Sequence, residues 1–105
     1  MKVLFDQGTP LPLRRHLPEH SVDTAAERGW SDLDNGALID KAEQEGYEVL
    51  VTTDQNMRHQ QNLSNRRLAL VVLLSTAWPR IQLRTEEIRA AIDAVQPGES
   101  RDVPI

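Results

Sequence analysis

The sequence contains no cysteine. That one absence removes disulfides, thiolate catalysis and cysteine-ligated zinc. Aromatic residues are scarce, with one Phe, one Tyr and two Trp in 105 residues, so a core must rest on Leu, Val, Ile and Ala. No apolar run approaches the roughly 20 residues that span a bilayer; the longest is the LALVVLL stretch at 68–74. The apolar start, MKVLF, is cut off by Asp6 and is too short for a secretory signal. A soluble, cytoplasmic protein without a membrane partner is expected. Glycine-rich phosphate loops are missing as well, because Gly8 and Gly36 stand alone. His16, His20 and His59 show no His-x₃-His spacing, which argues against a zinc site. The nucleophile-elbow pattern is also absent.

What is present is the composition of one small globular domain, 39% hydrophobic and 27% charged. Net charge is −4, so bulk charge does not make the chain a general polyanion binder. Lysine is nearly absent, since ten of the twelve basic residues are arginine. Arginine binds phosphate through a planar fork that lysine lacks. The plainer reading of those arginines is solvated helix faces.

Short apolar runs alternate with helical patterns. Residues 2–5 read as a buried strand, ended by the turn signal Asp6-Gln7-Gly8. Thr9-Pro10 reads as an N-cap and first helical residue, with Leu13 and Leu17 on one face of a helix that Pro18 stops. Residues 20–24 form a weak, polar strand suited to an edge. A helix starting near Asp34 or Asn35 turns Leu38, Ile39 and Ala42 inward and ends at Gly46. Residues 48–52 and 68–74 read as further strands, the second buried on both faces. Asp54 caps a short helix from Met57 to about Gln61, and Trp78-Pro79 turns the chain. Thr85-Glu86-Glu87 opens a last helix that Pro97-Gly98 ends. The domain spans 1–98; residues 99–105 make a polar tail with a short strand at Val103 as an option. This alternation predicts an α/β fold with right-handed crossovers, a mostly parallel sheet and strand order 2-1-3-4.

In such sheets ligands bind beyond the carboxyl ends of strands, where the order reverses. Asp6 and Asp54 follow the two strands at that point. Carboxylates gathered there repel one another, and a cation such as Mg²⁺ or Mn²⁺ relieves the repulsion. Asp34 and Asp32 are candidates to close the metal set. Asn56, Gln60 and Gln61 are candidate neutral contacts to substrate, with Arg58 to neutralise a phosphate. Each has a plainer reading: Asp6 as an Asx-turn, Asp34 and Asp54 as helix caps, the amides as surface residues.

The stretches MKVLFDQGTP, GW followed by NGALI, and VLVTTDQNMRHQQNL resemble the small PIN-like proteins of the DUF5615 family, over about residues 1–80. TTDQNMRHQQN is the most specific part, because packing does not dictate such polar residues at such spacing. The resemblance implies a three-layer α/β/α PIN-like sandwich with four or five strands. It also implies a Mg²⁺- or Mn²⁺-dependent ribonuclease, often the toxin of a toxin–antitoxin pair, with RNA and an antitoxin protein as partners. Asp6 matches the aspartate ending the first PIN strand, Asp54 the one after the later strand, and Asp34 the acid before the intervening helix. The family's usual Asp-Glu-Asn start is Asp6-Gln7-Gly8 here, and its second acid after Asp54 is Asn56. Those departures point to weaker metal binding, an altered substrate or lost catalysis.

Three functions follow as expectations. The first is metal-dependent hydrolysis of RNA through Asp6, Asp54 and Asp34. A second is a non-catalytic PIN-like binding module, suggested by Asn56. The third is a receiver-like phosphorylation switch at Asp54, with Ser75 or Thr76 after the fourth strand. It lacks a paired acid by the first strand, and the only lysines are Lys2 and Lys41. A homodimer is expected if apolar residues such as Trp30 are exposed.

Overall fold

A computed structural model describes residues 1–60 and 62–105. Its sheet has five strands, β1 (Lys2–Phe5), β2 (Ser21–Thr24), β3 (Val49–Thr52), β4 (Ala69–Leu73) and β5 (Ser100–Val103). Their order is β2-β1-β3-β4-β5, and each neighbouring pair is parallel. The expected order is therefore present, with a fifth strand added beside β4. Residues 100–103 belong to the sheet and are not a tail. Their polarity is that of an edge strand, in which only Val103 is buried.

The helices are α1 (Asn35–Gln44), α2 (Met57–Gln60), α3 (Trp78–Ile81) and α4 (Thr85–Ala94). Asp34 caps α1 by accepting from the Ala37 amide at 2.8 Å. Gly46 follows that helix at φ +83°, the left-handed conformation that glycine adopts without strain. Residues 11–16 form a 3-10 helix, not an α-helix, and Thr9 does not cap it. Its hydroxyl is drawn instead to Asp6 and Val51. Trp78-Pro79 begins α3 where a turn was expected, because proline is tolerated in a first helical turn.

Alternation along the strands divides the core. Val3, Phe5, Val49, Val51, Val71 and Leu73 pack on one face with Ile88 and Ile92 of α4. Leu4, Leu50, Leu70 and Val72 pack on the other with Leu38 and Ile39 of α1 and Met57 of α2. All five residues of β4 are buried, which explains its unbroken apolar sequence. Trp30 is buried, meeting Tyr47 edge-on at 6.0 Å, with the Arg28 guanidinium 4.6 Å from its ring. The ground for expecting a homodimer through an exposed Trp30 is thereby removed. Among the described residues, no helix is long and apolar enough to cross a membrane.

Candidate functional site

Register builds the site. Phe5 pairs with Val51, so the next residues, Asp6 and Thr52, leave the sheet side by side. The Asp6 amide donates to the Val51 carbonyl at 3.0 Å. Both side chains continue the period-two series of Leu4 and Leu50, and so turn toward the face that α1 covers. The Thr52 hydroxyl, fully buried, donates to Asp6 Oδ2. It also accepts from the Asp54 amide at 3.0 Å. One hydroxyl thus touches both aspartates that the sequence singles out.

Asp54 is held at both oxygens. Its Oδ1 accepts from the Asn56 amide at 3.0 Å and its Oδ2 from Asn35 Nδ2 at 3.0 Å. Asn35, the first residue of α1, also lines a cleft beside Asp6. Thr9 completes the enclosure of Asp6, with Oγ1 2.7 Å from Asp6 Oδ1 and 2.9 Å from the Val51 carbonyl oxygen. One hydroxyl proton serves only one of those acceptors at a time. When Asp6 is ionised, Thr9 donates to it. When Asp6 carries a proton, it donates to Thr9, and Thr9 donates to Val51. Burial pushes the Asp6 carboxyl above its ordinary range, against the opposing pull of the Thr52 and Thr9 hydroxyls and the Gly8 and Thr9 amides. Gly8 fits here because a Cβ would come 2.7 Å from Thr53 Oγ1.

Among the described residues, neither Asp6 nor Asp54 forms an ion pair. Their partners are hydroxyls, amides and backbone N–H groups, so their negative charge meets no protein cation. The oxygen donor set suits a hard cation such as Mg²⁺ or Mn²⁺. The cleft beside Asp6, bordered by Gln7, Gly8, Trp30 and Asn35, measures about 110 Å³. It is open to solvent and has room for water beside the Asp6 carboxylate.

The other expected residues are less concentrated. Asp34 is exposed and occupied with its cap, and Asp32 is exposed in the loop before α1. Asp6, Asp34 and Asp54 do not gather as three ligands. Among the described residues, such a group, with ligand atoms within 4.8 Å of one another, is Glu19, His20 and Asp93. Asn56 is exposed and contributes its backbone amide to Asp54. Arg58 donates to the Gln55 carbonyl and lies 3.5 Å from Asp102. The Gln60 side chain and all of Gln61 lie outside the described residues. Thr9, Asn35 and Thr52 were missed by sequence reading. For Thr52 a signal exists, a polar residue at an inward position of a strand otherwise apolar.

A parallel α/β sheet with an aspartate beyond each of the two strands at its topological switch point defines the class of site. Comparison of the chain with protein-family models, curated proteins and solved structures finds no significant match.

Proposed function

We propose that the rim formed by Asp6 and Asp54 binds one divalent cation, Mg²⁺ or Mn²⁺, and that the protein hydrolyses RNA phosphodiesters. The observation that carries this reading is the unpaired charge: the buried Thr52 hydroxyl bonds the Asp6 carboxylate and the Asp54 backbone amide at the switch point, and among the described residues no protein cation pairs with either carboxylate. The resemblance to PIN-like DUF5615 proteins supports it, as do the strand order and the two core clusters on opposite sheet faces. By the same resemblance, the chain acts in the cytoplasm as the toxin of a toxin–antitoxin pair.

Asp6 and Asp54 would hold the ion, and two carboxylates suffice because Mg²⁺ keeps waters and takes substrate oxygens for the rest. When bound, the cation supplies a water activated for attack on phosphorus and neutralises charge on the phosphate oxygens. Thr52 fixes the Asp6 carboxylate, and Asn35 orients Asp54. Thr9 lets Asp6 pass between neutral and ionised forms without losing a hydrogen bond. Asp34 serves the fold by capping α1.

RNA cleavage with Mn²⁺ or Mg²⁺ tests this, with Asp6→Asn and Asp54→Asn as controls. Cleavage that needs the metal and both aspartates is the expected result. Cleavage surviving either substitution, or none on any RNA tried, removes the reading. A second reading, a PIN-like module that binds a partner without catalysis, is favoured by Asn56 and by the hydrogen bonds already made at all four carboxylate oxygens. Binding of RNA or protein with no metal effect on the melting temperature would select it.

A further inference from the structure

We propose that Arg58 is the phosphate-binding residue of the rim, and that the Asp102 carboxylate occupies its guanidinium as a stand-in until substrate arrives. This rests on the reading of the rim as an RNA site. Arg58 Nη1 donates to the carbonyl of Gln55, the residue next to Asp54, so the guanidinium is fixed against the same loop that carries the aspartate. Its Nε faces Asp102 Oδ2 of β5 at 3.5 Å, with the two side chains 24% and 39% exposed. Among the described residues, Nη2 makes no hydrogen bond.

That contact is looser than three of the ion pairs in the fold and close in length to the 3.3 Å pairs of Arg89 and Arg101. Arg14, Arg28 and Arg66 hold Glu27, Glu45 and Asp40 at 2.9, 2.6 and 2.6 Å, the range of a strong charged hydrogen bond. At 3.5 Å and partly in water, the Arg58–Asp102 pair contributes little to stability. A phosphate offers the guanidinium fork the same geometry as a carboxylate, with more charge. Exchange of one anion for the other needs rotation of the exposed Asp102 side chain away from the half-buried Arg58 guanidinium. Asp102 thereby lowers the affinity of the resting rim for any anion that the cation does not also hold.

The test is fluorescence anisotropy with a labelled single-stranded RNA of about 12 nucleotides, in EDTA so that cleavage is silent. Asp102→Asn is expected to tighten binding about two- to fivefold, the range an exposed ion pair can withhold. Arg58→Ala should weaken binding and reduce the slope of log K against log salt by about 0.7, the loss of one phosphate contact to a single strand. The double variant should match Arg58→Ala. A merely structural pair would shift the melting temperature and leave the salt slope alone. Unchanged affinity in Asp102→Asn, a gain that persists in the double variant, or no binding by the unaltered protein in EDTA overturns the assignment. Metal-dependent cleavage is scored separately: if it persists while Arg58→Ala binds normally, the nuclease reading stands and only the role of Arg58 falls.

Discussion

Two groups of acidic side chains lie at opposite ends of the sheet and are neutralised differently. Glu19 and His20 immediately precede β2, and Asp93 lies on α4. There, Asp93 Oδ1 is 2.8 Å from His20 Nε2, and Glu19 pairs with Arg89 at 3.3 Å. Arg89 also reaches the His16 carbonyl at 3.2 Å. This group has the ligand spacing of a metal site, yet the His20 ring meets Asp93 and the Arg89 guanidinium meets Glu19, which ties α4 to the start of β2. The Asp6–Asp54 group is the reverse. Its acids do not form a set of three, but among the described residues they have only hydroxyls, amides and N–H groups as partners. Ligand spacing measures proximity. Unpaired charge at a strand-end cleft is the better sign of a waiting cation.

The comparison is broken most directly by activity. Asp6→Asn or Asp54→Asn should lower Mn²⁺-dependent RNA cleavage about 100-fold or more, while Asp93→Asn leaves it unchanged. An assay in which Asp93→Asn is the damaging change would exchange the roles of the two ends. Thermal melting gives the next effect. With Mn²⁺ at ten times its Kd, stability should rise by about 1.4 kcal/mol, or roughly 5–10 °C for a domain of this size. The shift should survive Asp93→Asn and vanish in Asp6→Asn.

Legibility in the sequence followed burial. β1, β3 and β4 are covered on both faces, so their apolar runs announce them. β5 has only one buried residue, Val103, and its Ser-Arg-Asp start carries no strand signal. Pairing with β4 makes it a strand, and that is a property of the neighbour. Asp6 and Asp54 were readable because strand ends are readable. The roles of Thr9, Thr52 and Asn35 depend on which residues the β1–β3 register and the start of α1 bring together, and no local pattern encodes that. Arg58 shows the converse: its charge suggested phosphate, but only the structure reveals Asp102 beside it.

A smaller effect sharpens the part assigned to Asp34. Asp34→Ala removes the side-chain acceptor for the Ala37 amide and should cost about 1 kcal/mol by loss of an N-cap. The stabilisation by Mn²⁺ should remain intact. If chemical denaturation instead shows the cation effect lost together with the cap, Asp34 returns to the metal set and the rim is a three-carboxylate site after all.

The smallest effect concerns pH, and its sign is diagnostic. Without metal, burial holds the Asp6 pKa above its unfolded value. The folded protein therefore keeps a proton that the unfolded chain has released. The stability this confers is fully present below the unfolded value, about 3.9, and is lost as pH rises through the raised folded value. Asp6→Asn abolishes that dependence and leaves the other carboxylates as they were. In EDTA, the melting temperature of the unaltered protein minus that of Asp6→Asn should fall as pH rises from about 4 toward neutrality. With saturating Mn²⁺ the difference should rise over the same interval, because a cation binds the ionised carboxylate and so favours proton release. A difference that rises with pH in EDTA would mean that Asp6 is stabilised as an anion by the protein alone, and the rim would then have no unmet need for a cation.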